Sequence, residues 1–322
     1  MATAQASPDR RARVAACELL HTAALWSVGS LAQAQGQAAA AGGGGGGGPA
    51  GPGADAPGGS LLQRLLGPML VLGAGAEPVG VELFGLLLQQ VVRWFARQAE
   101  GEHRAALLEA LLSALSAAAD GSARGLCANL CALFLSEASG RQEGAAAGRR
   151  DAALLLRRLF DRLGGDRPGH RLGAALAIMT CAPALGASQH HALLQRFLLS
   201  ALAHVLSALR AAERDAPGLG TAALLEGAAD ALLDAGWHSA AAQLVLPLRE
   251  RERFATLADF AAWLWEATRA PQRHLRRRAQ ELLELSARQL LAGALESARA
   301  RARRWGWAGA GGAAQAPPLP PS

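Results

Sequence analysis

The sequence contains no lysine and no tyrosine, and Ile178 and Asn129 are its only isoleucine and asparagine. Isoleucine and tyrosine favour β-strands, so their scarcity argues against a strand-rich fold. Alanine and leucine dominate instead, and most of the chain carries apolar residues at helical spacing. The composition therefore predicts an all-α protein.

The absence of lysine also affects how the charge is interpreted. A formal net charge of +6 and a pI near 10.6 are typical of proteins that bind nucleic acid or a membrane surface. Every basic residue is arginine, however, and a GC-rich coding sequence produces the same bias. Arginine on a solvated helix face is the simpler interpretation, because its aliphatic stem also covers apolar surface.

Cysteines and long apolar runs are few as well. The four cysteines lack the spacing of a disulfide framework, which favours a reducing compartment. The most apolar stretch, residues 61–76, is interrupted by Arg64, Gly67 and Pro68 and falls short of the roughly 18 residues of a membrane span. We expect a soluble chain that has neither a membrane nor a small-molecule substrate as partner.

Two low-complexity segments divide the sequence. Residues 36–59 consist mainly of Gly, Ala and Pro and cannot bury enough apolar surface to offset their ordering entropy, so we expect a disordered insertion there. Residues 306–322 are also rich in Gly and Pro, and we expect a flexible tail. Residues 1–35 would then begin a first helical repeat, and residues 60–305 would hold the remaining repeats.

The rest of the chain predicts a series of helices joined by short connections that contain Gly, Pro, Asp or Ser. Short connections favour antiparallel packing of neighbouring helices. The predicted helices span residues 9–33, 60–72, 78–99, 101–119, 122–138, 149–164, 168–181, 187–213, 220–235, 237–247, 254–268 and 272–304, with a break expected in the last.

Several of these helices begin with one motif. An Asp or Pro precedes an Arg by four or five residues, and an apolar residue follows that Arg after six more. The Asp can cap the amides of the first turn, and the small residues after the Arg let a neighbouring helix approach closely. The motif residues are Asp9, Arg13 and Leu19; Asp120, Arg124 and Leu130; Asp166, Arg171 and Ala177; and Pro271, Arg276 and Leu282.

The helix starts recur at the spacing of a helix pair. The intervals are 43 residues from Glu77 to Asp120 and 46 residues from Asp120 to Asp166, and they lengthen afterwards. A period of about 40 to 47 residues with two helices per unit is that of HEAT and armadillo repeats, which stack into a solenoid. The starts lie at Asp9, Glu77, Asp120, Asp166, Asp215 and Pro271.

The N-terminal segment has a second interpretation. Residues 1–35 are rich in Arg, Ala and Ser, as organelle transit peptides are, although Asp9 and Glu18 argue against this because transit peptides are poor in acidic residues. If residues 1–30 were a transit peptide, the chain would be an organelle RNA-binding α-repeat protein.

Two residue pairs could in principle supply metal ligands. Cys17 with His21, and Cys127 with Cys131, lie four residues apart and so share a helix face. Neither pair has the short loop spacing of a zinc site, and buried cysteine is common in helix cores. We therefore expect no structural metal.

No segment predicts an active site. GGDRP at 164–168 resembles the catalytic loop of the phosphatidylinositol-3-kinase-like kinases, but Pro168 replaces the histidine, no metal-binding Asn follows, and Asp-Phe-Gly is absent. GLGTAA at 218–223 fits the dinucleotide-binding pattern without a preceding strand. We expect no catalytic residue and no cofactor in this chain.

The best candidate for nucleic-acid binding lies in the last predicted helix. Arg273, Arg276, Arg277 and Arg278 cluster near its start, and two tryptophans follow its end. Arginine clusters neutralise phosphates, and tryptophan can stack on bases. The alternative is a solvated face of a repeat helix.

Collinear segments from about residue 7 to 290 resemble the catalytic subunits of the DNA-dependent protein kinases, a family within the phosphatidylinositol-3-kinase-like kinases. RVAACELLH at 13–21 is the most specific segment. The others are VELFGLLLQQVVRWFARQ (81–98), ALLEALLSAL (106–115), LLLRRLFDRL (154–163), HRLGAALAI (170–178), GLGTAALLEGAADAL (218–232) and LADFAAWLWEATRAPQRHLRRRAQELLEL (257–285). The chain departs from the family in its poly-Gly insertion, in its lack of lysine and in the links at 139–150 and 239–256.

That resemblance implies a segment of the N-terminal HEAT-repeat circular cradle of a nuclear serine/threonine kinase that acts in DNA double-strand break repair by non-homologous end joining. The kinase domain of this family lies far C-terminal, so the segment itself is expected to be a non-catalytic scaffold. The implied partners are the rest of the kinase chain, the Ku heterodimer and double-stranded DNA ends. A free-standing HEAT or armadillo adaptor that binds a protein in its concave groove is the alternative.

Overall fold

The computed structural model describes residues 9–41, 65–66, 68–70, 78–98, 101–118, 121–139, 145–187, 191–215, 219–249 and 251–304. All regular structure in these ranges is helical, which confirms the all-α prediction. The helices are α1 (Arg10–Ala41), α2 (Pro78–Gln98), α3 (Gly101–Ala117), α4 (Gly121–Ser139), α5 (Ala145–Leu163), α6 (Pro168–Gly186), α7 (His191–Ala212), α8 (Thr221–Leu244), α9 (Leu257–Ala267) and α10 (Arg273–Arg304).

The described helices form two layers. In the first layer, α1, α2, α4, α6, α8 and α10 contact one another in succession, and these are the helices that follow the motif starts. In the second layer, α3 contacts α5 and α5 contacts α7, and each packs against helices of the first layer. A repeated helix pair stacked on its neighbours is the architecture of an α-solenoid, so the repeat prediction is confirmed.

Three predicted helix boundaries are wrong because glycine and proline do not interrupt the helices there. The predicted helices 220–235 and 237–247 form the single helix α8, α6 continues through Pro183 to Gly186, and α10 is unbroken. A Cβ on Gly236 would lie 2.4 Å from Cδ2 of Leu194 on α7. Gly236 therefore serves close packing of two helices rather than a turn.

The predicted low-complexity insertion also needs a correction. α1 continues through residues 36–41, which the composition assigns to the insertion, because this stretch is rich in alanine, the strongest helix former. The segment therefore begins no earlier than residue 42. Residues 42–59 and the predicted tail at 306–322 lie outside the described residues.

α6 lies at the centre of the packing and contacts α3, α4, α5, α7 and α8. Its small residues allow this crowding, since a Cβ on Gly173 would lie 2.8 Å from the carbonyl oxygen of Leu115, and one on Gly186 would lie 2.7 Å from that of Ala235. The expected close approach after the motif arginine is thus confirmed in α6. Gly125 in α4 behaves differently, because its Cβ would meet nothing within 4 Å.

The motif arginines close the connections that precede the helices of the first layer. Nε of Arg124 donates to the carbonyl of Ala118 at 2.9 Å, and Nη1 of Arg171 donates to that of Gly165 at 2.6 Å. Arg276 makes the same bond to the carbonyl six residues before it, at 3.2 Å. Each arginine therefore satisfies a carbonyl that the ending helix or turn leaves without a partner in the helix.

The motif acids do not all act as expected. Asp9 accepts a hydrogen bond from the backbone N–H of Arg11 at 2.9 Å, as a capping residue should. At α6, however, the N-cap is Arg167, which makes no side-chain cap, and Pro168 opens the helix. The capping role predicted for Asp166 is therefore wrong.

Arg171 also binds the next repeat. Its guanidinium pairs with the carboxylate of Asp215, with Nε of the arginine 3.2 Å from Oδ2. Both side chains are only 4 % exposed, so this ion pair lies in the core. Asp215 is the predicted start of the repeat that contains α8. One side chain thus holds the α5–α6 connection and the α7–α8 connection together.

Arg251 organises the connection between α8 and α9 in the same way. It is buried, and its guanidinium donates to the carbonyls of Leu244 at 3.2 Å and Ala255 at 2.7 Å. Nε reaches across to the carbonyl of Gln195 on α7 at 3.1 Å. The connection between α8 and α9 is therefore tied to α7 and α8 by one arginine.

Among the described helices, α7 is the one that is long and apolar enough to cross a membrane, whereas the sequence directs attention to residues 61–76. Of its apolar window, 72 % is buried inside the protein. Burial of this extent is typical of a core helix, and α7 indeed packs against α5, α6, α8 and α10.

We predict that Gly173→Ala lowers the free energy of unfolding by about 1–3 kcal/mol, because the added methyl group meets a backbone carbonyl that cannot move easily. The matched control is Gly125→Ala, which fills open space within a helix and should raise stability by about 0.5–1 kcal/mol. Thermal and urea denaturation measure both. Equal effects of the two substitutions would contradict the close approach at α6.

We predict that Arg171→Ala and Asp215→Ala each destabilise the protein by about 3–5 kcal/mol, because each leaves a buried charge without its partner. Together they should cost less than the sum, since the second substitution removes the isolated charge. Arg299→Ala is the control, because its pair with Glu296 is more than 60 % exposed on both sides and should be nearly neutral. Additive effects of the core pair in urea denaturation would contradict the coupling.

Candidate interaction surfaces

Two of the four arginines predicted to bind nucleic acid are engaged within the fold. Arg276 donates to the carbonyls of Ala270 and Pro271, at 3.2 and 3.5 Å. Arg278 is only 11 % exposed and pairs with Asp230 on α8. Both side chains are therefore used to attach α10 to the preceding repeat.

The other two face solvent. Arg273 is exposed at the first position of α10. Arg277 is 62 % exposed, and its ion pairs with Glu226 and Glu281 are long, at 3.6 and 3.5 Å. The structure thus brings the predicted cluster together on one helix. Arg276 is exposed as well, but its guanidinium donates to two backbone carbonyls, so Arg273 and Arg277 are the members best placed to meet a partner.

The carboxylates that neutralise this cluster are not evident from the sequence. Glu226 and Asp230 lie on α8, and each is separated from its partner on α10 by 48 residues, about one repeat. Nδ1 of His274 also lies 3.0 Å from Oε1 of Glu226. The repeat period itself could have identified these pairs, because equivalent positions of consecutive repeats lie side by side.

Ion pairs between consecutive repeats recur elsewhere in the stack. Nη2 of Arg97 on α2 lies 2.7 Å from Oε2 of Glu137 on α4, and Nε of Arg104 on α3 lies 2.8 Å from Oδ2 of Asp151 on α5. Arg97 is 61 % exposed, and exposed pairs of this kind contribute only about 0–1 kcal/mol, whereas Arg104 and Asp151 are only 11 and 14 % exposed. These ion pairs engage arginine side chains with other residues of the protein, which agrees with the interpretation of arginine as a helix-face residue.

A second basic surface, which the sequence does not predict, lies between α5 and α7. We call it the arginine cleft, and its cavity has a volume of about 750 Å³. The arginines come from one face of α5 and from the first turns of α7. Its lining residues are Arg149, Arg150, Asp151, Ala153, Leu154, Arg157, Ala192, Leu193 and Arg196.

Phe197 supports two arginines of the cleft from below. The Cζ atom of Arg196 lies 5.2 Å from the centroid of the Phe197 ring, and that of Arg157 lies 6.0 Å away, which are cation–π distances. Arg157 is also held by Glu252, whose Oε1 lies 2.5 Å from its Nη2. Nε of Arg196 is buried and has no hydrogen-bond partner in the part of the chain that the structure describes.

The cysteines do not form a reactive or metal-binding site among the described residues. Cys127, Cys131 and Cys181 are buried and form no disulfide. Burial raises the pKa of Cys127 and of Cys181 to about 12, and it raises that of Cys131 as well. Thiols of this kind stay protonated at neutral pH and are poor nucleophiles and ligands. Nowhere in the described ranges do three His, Cys, Asp or Glu side chains gather as a metal site.

The remaining residues that the sequence offered as site candidates lie at separate places in the structure. Cys17 is buried, and the ring of His21 meets that of Phe84 edge-on, with centroids 6.2 Å apart. Asp166 of the GGDRP segment is exposed in the turn between α5 and α6. These positions do not bring the residues together as a site.

Comparison with known proteins agrees with this architecture. A family model described as DNA-dependent protein kinase catalytic subunit, CC1/2, matches residues 56–287. No curated protein sequence matches the chain. The matched range holds every helix from α2 to α9 and the first half of α10, including the motif starts from Glu77 to Pro271. The chain therefore belongs to the family of the DNA-dependent protein kinase catalytic subunit, as a helical segment of its CC1/2 region.

Proposed function

We propose that this chain is a non-catalytic scaffold that supplies part of the wall of the circular cradle in a DNA-dependent protein kinase, and that it acts in double-strand break repair by non-homologous end joining. The observation that carries the proposal is the family match over residues 56–287, which covers most of the stacked repeats. The family is defined by its DNA-dependent kinase activity, so a helical segment of it serves that activity by holding other parts in place.

The partners follow from this role. The rest of the kinase chain continues the solenoid, while the Ku heterodimer and double-stranded DNA ends are the partners of the assembled kinase, in the nucleus. A solenoid suits the task because each repeat contacts only its neighbours, so a small rotation per repeat produces a large curved surface. Motion at one end of such a stack is transmitted through the packed helices to the other.

A direct test uses the native protein in nuclear extract. Biotinylated linear duplex DNA is used to capture end-binding proteins, and the bound fraction is probed with an antibody raised against residues 251–287. We expect a band far larger than the 33.1 kDa of this chain. We also expect that closed circular DNA of the same sequence does not capture it and that depletion of Ku abolishes its capture.

Other results would favour the alternatives. A band near 33 kDa that stays in the unbound fraction would contradict the proposal and favour a free-standing repeat adaptor. Recovery of that band from an organelle fraction, shortened by residues 1–30, would favour the organelle RNA-binding protein.

For DNA contact within this chain, we propose Arg273 and Arg277, the two exposed members of the predicted cluster that do not donate to backbone carbonyls of the preceding connection. We predict that changing both to Ala reduces the slope of log affinity against log salt concentration by about 1 for each phosphate that the protein no longer binds. Changing Arg276 and Arg278 to Ala should instead lower the melting temperature, because their partners lie within the fold. An unchanged slope in the variant of Arg273 and Arg277 would contradict DNA contact and would favour a structural role for all four arginines.

A further inference from the structure

The arginine cleft contains two arginines, Arg149 and Arg196, that form no ion pair in the described part of the chain. Asp151 is the one carboxylate among the described residues that line it, and it is paired with Arg104 outside the cleft at 2.8 Å. The cleft also borders the first turns of α7, a helix whose N-terminal end adds a partial positive charge. The arginine side chains and the N-terminal end of α7 therefore both favour the binding of an anion in the cleft.

Arg196 is the clearest sign of a missing partner. Nε of Arg278 is also buried without a hydrogen bond, but Arg278 forms an ion pair with Asp230 about one repeat away. Arg196 has a buried Nε without a hydrogen bond and no ion pair in the described part of the chain. A buried N–H without an acceptor is costly, and such groups are rare in folded proteins. The ring of Phe197 holds this guanidinium in place at the wall of the cleft, so an incoming acceptor would meet a preorganised donor.

The walls between the guanidinium groups are aliphatic. Ala153 and Leu193 are buried in the wall, Leu154 is half-buried, and Ala192 is exposed. Aliphatic side chains of a ligand could pack here, whereas a phosphodiester backbone has none to offer. The aromatic ring at the site, Phe197, is only 2 % exposed beneath Arg196, so it cannot stack on a base.

We propose that the arginine cleft binds an acidic segment of a partner protein, with Arg149 and Arg196 donating to its carboxylates. Arg157, which Glu252 holds in place, forms the far wall of the cleft. The planar guanidinium group matches a carboxylate in two parallel hydrogen bonds, which gives both affinity and orientation. Alternating acidic and aliphatic residues are the sequence that fits, because they satisfy the arginines and the apolar walls together. This site does not depend on the proposed role in DNA repair.

Fluorescence anisotropy with the full 322-residue chain tests the proposal. The probe is a short labelled peptide of alternating Glu and Leu, and the reference is the same peptide with Gln in place of Glu. We expect the Glu peptide to bind at least about tenfold more tightly than the Gln peptide, because charge-assisted hydrogen bonds are roughly twice as strong as neutral ones. Equal binding of the two peptides, or no binding of either, would overturn the proposal.

Two double variants of equal charge locate the site. Arg149→Gln with Arg196→Gln should weaken binding of the Glu peptide at least about tenfold. Arg288→Gln with Arg299→Gln removes two exposed arginines of α10 and should change it less than about twofold. Equal losses in the two variants would mean non-specific attraction, and that would overturn the site.

Two further measurements separate a loss of recognition from a loss of folding, and a protein partner from a nucleic acid. Arg149→Gln alone changes an exposed side chain, so a loss of peptide binding in this variant at an unchanged melting temperature separates recognition from folding. Labelled duplex DNA is then titrated into the same proteins. If the Arg149→Gln and Arg196→Gln variant loses DNA binding and keeps peptide binding, the cleft is a nucleic-acid site and the proposal of a protein partner is wrong.

Discussion

The constraint on which this structure depends is that a single helix pair cannot bury its own apolar face. The buried leucines, alanines and phenylalanines of the described helices form one continuous core that runs from α1 to α10, and each pair closes the core of the one before it. The helices after the motif starts meet in sequence in the first layer, so the stacking follows directly from the repeat. Where a neighbouring helix approaches α6 closely, only glycine fits beneath the carbonyl of Leu115.

Arginine side chains supply hydrogen bonds and ion pairs that join the repeats of this architecture. Every helix end leaves carbonyl groups without partners inside the helix. Arg124, Arg171 and Arg276 each donate to a carbonyl six residues back, and Arg251 holds the long connection after α8. Other arginines pair with carboxylates of the neighbouring repeat. Part of the arginine content is therefore a consequence of how the repeats are joined.

The sequence predicts the helices and their repeat well, but it predicts poorly where a helix is interrupted. Helical periodicity and the recurring motif identify the helices and the repeat starts, because both depend on local residue patterns. Gly236 and Pro183 look like helix breaks in the sequence, yet Gly236 is required by the side chain of Leu194 on another helix. A contact between helices distant in sequence cannot be seen in a local pattern, and the same applies to the capping role wrongly expected of Asp166.

The candidate interaction surfaces also depend on contacts between distant helices, which a local sequence pattern does not reveal. The cluster at 273–278 is conspicuous in the sequence, but the carboxylates of α8 that neutralise part of it lie 48 residues earlier. The arginine cleft is inconspicuous, because Arg149 and Arg196 belong to different helices and meet only when α5 packs on α7. Charge in a sequence is therefore informative about binding only after the repeat register shows which charges are already paired.

Hydrogen exchange of the Phe260→Ala variant tests the nearest-neighbour account most directly. Phe260 is fully buried in α9, where its ring packs against Phe254 and Trp263, and its truncation weakens the packing at one end of the stack. Faster amide exchange confined to α8, α9 and α10, with protection of α2 to α4 unchanged, is the result that a stack of repeats predicts. An equal loss of protection in α2 to α4 would show a single globular unit and contradict the account.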